Sequence, residues 1–149
     1  MSRTRNLALS VVLFIALVSG YRPFRQVADT LGRRGIAVRR MDDRGINGSG
    51  GDLIKVTSAD FADDIRAGVA FLRARPEVDA ARIGLIGHSE GGWIAPMVAS
   101  TDPRLKGIAL LAGTAYTGRR MSEIQNDTAI AQAPGLTAAQ RDSLHRIVP

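Results

Sequence analysis

The segment Gly87-His88-Ser89-Glu90-Gly91-Gly92 restricts what this chain can fold into more than any other stretch. It follows a short apolar run, residues 82–86, and opens a second apolar stretch, residues 90–100, that reads as a helix. A serine between glycines at such a junction calls for a strand, a very tight turn and a helix in that order. Glycine on either side removes the Cβ atoms that the turn would otherwise bring into collision. The bare Gly-x-Ser-x-Gly pattern is weak in a chain with 16 glycines, where it reads equally well as an ordinary Gly-Ser turn. Its place between a strand and a helix is what gives it weight.

The rest of the chain supports alternating strands and helices. Pro23 suits the first turn of a helix, and Phe24, Val27, Ala28 and Leu31 recur at helical spacing up to a Gly35 stop. Residues 36–41 read as a strand in which Arg39 and Arg40 are awkward, and residues 42–52 as a Gly-rich loop. Thr57 with Asp60 forms a capping-box pattern, Asp63 and Asp64 keep negative charge near that helix start, and Phe61, Ile65, Val69 and Leu72 make its buried stripe. Residues 105–112 read as a strand with almost no polar face, and residues 108–111 suggest cover on both sides. Two helices, residues 121–133 and 137–148, are split by Pro134-Gly135. This order predicts βαβ units and a parallel sheet flanked by helices, an α/β fold.

Composition narrows the function classes. The 149 residues suffice for one ordinary domain, and 45% hydrophobic with 23% charged residues places the chain among globular proteins. The net charge of +6 is spread rather than gathered into a basic stripe with aromatic platforms, so no nucleic-acid partner is expected. The absence of cysteine excludes disulfides and thiolate chemistry. Two isolated histidines and dispersed carboxylates offer no metal-ligand set, and no cofactor is expected. Residues 1–20 carry a short positive start, an apolar run over residues 7–18 and the small pair Ser19-Gly20. This is the plan of a secretory leader cleaved before Tyr21, which predicts an exported protein. The alternative is a buried parallel strand over residues 11–19, with the chain in the cytoplasm. The run is too short for a stable membrane span.

The segment from Ile86 to Ala99, Ile-Gly-His-Ser-Glu-Gly-Gly-Trp-Ile-Ala-Pro-Met-Val-Ala, resembles the nucleophile segment of bacterial α/β-hydrolase-fold esterases and dienelactone-hydrolase-like serine hydrolases. Upstream, Arg34-Gly-Ile-Ala-Val38 and the loop holding Asp43, Arg44, Gly45, Gly48 and Ser49 resemble that family's preceding strand and its Asp-Arg-Gly-x-Gly-x-Ser loop. Asn47 stands where a glycine is usual, a mild departure because Asn tolerates left-handed backbone angles. The resemblance runs over residues 21–118, with residues 119–149 matching the start of a helical insertion.

The resemblance implies an α/β-hydrolase fold and a Ser–acid–His triad whose acid and histidine follow the nucleophile. Ser89 is the implied nucleophile, the Glu90 backbone N–H one oxyanion donor, and a small ester or acyl compound the implied substrate. A prolyl-oligopeptidase-like peptidase is the enzymatic rival, and a catalytically silent fragment the non-enzymatic one. His88, locked in the turn, reads as structural; His145 reads as a surface residue. The acid and base are thus not evident, and the core is expected to be incomplete at both ends. Asp43 and Arg44 read as a loop-bracing ion pair, Glu90 as a rim or locally paired residue, and Trp93 and Met97 as core.

Overall fold

The computed structural model describes residues 7–12 and 23–147. They fall into two compact units, one ending at Gly113 and one beginning at Thr114. The first holds β1 (Leu7–Val12), α1 (Pro23–Arg33), β2 (Ile36–Arg39), α2 (Ser58–Arg73), β3 (Ile83–His88), α3 (Gly91–Ala99) and β4 (Ile108–Leu111). The second holds α4 (Gly118–Gln132) and α5 (Ala138–Ile147).

The four strands form one parallel sheet in the order β2-β1-β3-β4. Leu7 pairs with Ile36, Ala8 with Ile83 and Leu85 with Ile108, so β1 is an interior strand. Side chains alternate across a strand, and β3 shows it: Ile83 and Leu85 pack with α2 and α3, whereas Ile86 packs with Phe24 of α1. The larger layer joins Phe61, Ala62, Ile65, Val69 and Leu72 of α2 to Ile94, Ala95 and Val98 of α3. Each such large side chain stabilises the fold by roughly 1.5–3 kcal/mol relative to exposure.

The predicted α2 forms as its local chemistry dictates. Thr57 N donates to Asp60 Oδ2 at 2.9 Å and Asp60 N to Thr57 Oγ1 at 3.3 Å, the reciprocal pair of a capping box. The Thr57 hydroxyl, donating to Asp60 Oδ2 at 2.6 Å, and then the Thr57 N–H hold the Asp60 carboxyl below the usual range. At the far end, Arg73 Nη1 lies 2.5 Å from Asp102 Oδ2, with both side chains mostly buried, tying α2 to the connection between α3 and β4. The Arg73 hydrogen bond keeps the Asp102 carboxyl below its ordinary range.

Two strands differ from expectation. β2 stops at Arg39, whose guanidinium sits 4.2 Å from the centre of the Phe71 ring; a cation–π contact relieves the awkward charge. β4 is not covered on both faces: Ile108, Leu110 and Leu111 are 38–46% exposed. Among the described residues it pairs only with β3, at one end of the sheet, and an apolar run looks alike at an edge or a centre. Lys106 N still donates to Ile83 O at 2.8 Å, extending the pairing beyond the strand proper.

In the second unit, Gly135 at φ 78° turns the chain between the helices. Arg141 donates to the carbonyls of Ile130, Ala131 and Ala133, satisfying the open end of α4. Thr137 and Gln140 cap α5 reciprocally.

Residues 7–12 lie inside the stretch assigned to a leader, and they form the interior strand β1, four residues earlier than the strand alternative placed it. Residues 13–20 lie outside the described residues. Cleavage before Tyr21 would leave β2 and β3 with no strand between them. A variant lacking residues 1–20 is therefore expected to lose cooperative thermal unfolding by circular dichroism. A Tm unchanged by the deletion would mean that β1 is dispensable to the fold.

Candidate active site

β3 ends by driving the chain into a turn with no spare volume. A Cβ at Gly87 would lie 2.0 Å from the Gly91 carbonyl oxygen, and one at Gly92 would lie 2.6 Å from Gly113 Cα. Between them Ser89 adopts φ 53°, a left-handed angle that costs a non-glycine residue about 1–2 kcal/mol. Ser89 N donates to Leu111 O at 3.0 Å, and its own carbonyl accepts from Gly92 N at 2.8 Å. The side chain is exposed at the start of α3.

Glu90 follows with helical angles, and no bond from its side chain caps α3. Its carboxylate accepts instead from Ser58 Oγ at 2.6 Å, joining the turn to the first residue of α2. Among the described residues, no backbone carbonyl accepts from the Glu90 N–H. His88 packs edge-on against Phe24, ring centres 5.2 Å apart, and its buried Nδ1 has no hydrogen-bond partner among the described residues. Trp93 is half-buried, whereas Met97, expected in the core, is exposed. His145 belongs to the second unit, where its Nδ1 lies 3.1 Å from Asp127 Oδ1.

The Gly-rich loop braces itself differently from the expected Asp43–Arg44 pair. Arg44 reaches across to α2, placing Nε 2.8 Å and Nη2 2.9 Å from the Asp64 carboxylate, with Nη1 3.5 Å from Asp60. That hydrogen bond to Asp64 further stabilises the charged guanidinium. The sequence shows only that Asp60 and Asp64, four residues apart, put two carboxylates on one helix face; that Arg44 reaches this face is a tertiary contact. Ser49 Oγ donates to Asp42 O at 3.0 Å and Gly45 N to Gly50 O at 3.1 Å, closing the loop. Gly45 at φ 74° needs glycine; Asn47 adopts φ 51°, the left-handed angle its position suggested. Gly48 has open space around it.

Asp43, freed of Arg44, is pushed up to about 6, first by burial and then by repulsion from Glu90, Asp42 and Asp64. It lines an open cleft of about 620 Å³ with Arg39, Arg44, Phe61 and Asp64; neither Ser89 nor Glu90 is part of that lining. Ser58 had no signal in the sequence beyond its place after the capping threonine.

Two measurements check this geometry. Gly87→Ala should lower stability by on the order of 3 kcal/mol in urea unfolding, because backbone rather than a flexible side chain occupies the space; a loss below about 1 kcal/mol would contradict the close approach. A carboxyl whose folded pKa exceeds its ordinary 3.8 binds its proton more tightly in the native state, so stability falls as pH rises from 3.8 to 6. Asp43→Asn should therefore raise stability at pH 7.5 by roughly 1 kcal/mol, after allowance for solvent screening, with no gain at pH 3.5. An equal gain at both values would indicate packing instead of charge.

The model of the serine aminopeptidase S33 family matches residues 8–143, starting within β1. The uncharacterized protein PA2218 of Pseudomonas aeruginosa is 35% identical over 103 residues, covering 68% of this chain and 27% of that protein. The chain thus spans about a quarter of that relative's length. The crystal structure of PA2218 matches with a TM-score of 0.66 at 26% identity, over 93% of this chain and 41% of the other. The α/β hydrolase GrgF from Penicillium matches at TM-score 0.62 and 20% identity, over 97% and 60%. Acetyl xylan esterase 1 from Thermoanaerobacterium matches at 0.54 and 18%, over 96% and 53%; these last two speak to the fold alone. With strand order, family match and structural likeness in agreement, the chain belongs to the serine aminopeptidase S33 family of α/β hydrolases.

Proposed function

We propose that this chain carries the nucleophile segment of a serine hydrolase that cleaves carboxylic esters through an acyl-enzyme on Ser89. The observation that carries the reading is the left-handed Ser89 at the β3–α3 turn, exposed and flanked by glycines that admit no Cβ. A serine held so presents its Oγ clear of the sheet to an acyl carbonyl. Attack forms the Ser89 ester and releases the alcohol, and water then returns the free acid and the serine. In this reading the Glu90 N–H, which no backbone carbonyl accepts among the described residues, and the N-terminal end of α3 serve as donors to the oxyanion.

Neither histidine is assigned as the base. His88 is engaged with Phe24 and His145 with Asp127. A serine without its base keeps only a small part of its reactivity, slower by about 10⁴-fold or more. The S33 match favours a second reading, an amide-cleaving peptidase with the same nucleophile. In a third reading the chain is a catalytically silent fragment.

A fluorophosphonate probe applied to the intact chain is expected to label one site slowly, over hours, and to label nothing in Ser89→Ala. Short-chain nitrophenyl esters should be turned over measurably and aminoacyl anilides should not. Labelling that persists in Ser89→Ala would move the nucleophile elsewhere. Folded protein that takes up no label would establish the silent fragment, and preferential anilide cleavage would establish the peptidase.

A further inference from the structure

Glu90 poses a problem for the chemistry just proposed. Its backbone N–H is offered to a developing oxyanion, yet its side chain carries a carboxylate, whose charge opposes the same oxyanion. The carboxylate, however, is tied to Ser58 Oγ at 2.6 Å, on a partner 32 residues away in sequence. Ser58 is the first residue of α2, where unsatisfied N–H groups and the helix dipole favour a negative charge.

Ser58 stands on a rigid platform. The Thr57–Asp60 capping box sets the helix start, Arg44 grips Asp64 one turn on, and Phe61, Ala62 and Ile65 are buried against the sheet and α3. The residue it holds lies beside the strained Ser89 and forms no cap of its own. Asp43, which feels the Glu90 charge, offers that carboxylate only repulsion.

We infer that Ser58 is a positioning residue: its hydroxyl anchors the Glu90 side chain at the start of α2, which draws the carboxylate charge toward that helix and fixes the Glu90 N–H for the oxyanion. The inference rests on the Ser89 reading and adds a residue to it. Ser58 touches no reacting atom and acts through Glu90 alone.

The test compares the intact chain with Ser58→Ala and Ser58→Thr. Two rates are read: fluorophosphonate labelling of Ser89, and hydrogen–deuterium exchange of the Glu90 amide by NMR. Losing a hydrogen bond to a charged group should slow labelling about tenfold and speed Glu90 exchange by a similar factor, while Ser58→Thr restores both to within about twofold. Wild-type labelling and exchange in Ser58→Ala would overturn the inference. So would slowed labelling that Ser58→Thr fails to rescue, since that marks a general disturbance of α2. A wild-type chain that does not label at all defeats the Ser89 reading instead, and the exchange rates then decide whether Ser58 holds Glu90.

Discussion

At the end of β3 the backbone passes so close to the first turn of α3 that two positions have no room for a side chain. Gly87 abuts the Gly91 carbonyl and Gly92 abuts Gly113, and the residue between must take a left-handed angle. Ser89 bears that strain, which is held in place by what surrounds it: the bond from Ser89 N to Leu111 O, the strand pairing of His88 with Leu111, and the burial of Ile94, Ala95 and Val98 beneath the turn. Release the close approach and the serine loses its exposed position; keep it, and the start of α3 and the end of β4 have their places determined.

A second layer of order comes from charge. The 42–57 loop and the start of α2 gather Asp42, Asp43, Asp60 and Asp64, and Glu90 adds a fifth carboxylate from the turn. Arg44 neutralises Asp64 and approaches Asp60, which leaves Asp43 to share the neighbourhood with its own sign of charge. Glu90 escapes through Ser58. The loop and the turn are thus linked to one helix, α2, by polar contacts at its first two turns and by apolar packing along its length.

Elements whose signals are local were readable in advance. The α2 helix carries its cap and its apolar stripe in consecutive residues, and both form as read. The Ser89 turn was readable because glycine requirements are local, and Asn47 for the same reason. What failed depended on distant partners. Arg44 was paired with its sequence neighbour Asp43, but its long side chain reaches a carboxylate 20 residues on. The 108–111 run was expected under cover and is exposed, since a strand's neighbours are invisible in its own residues. The apolar run near the start admitted two readings for the same reason, and residues 7–12 are a strand because β2 and β3 flank them.

By itself, then, the sequence determined the alternation of strands and helices, the tight serine turn and the family to which that turn belongs, because periodicity, capping and glycine sterics act within a few residues. Only the tertiary structure decided the interior place of β1, the open face of β4, the partner of Arg44 and the Ser58–Glu90 contact beside Ser89. Those depend on which side chains a parallel sheet brings together across tens of residues, and no local pattern encodes that distance.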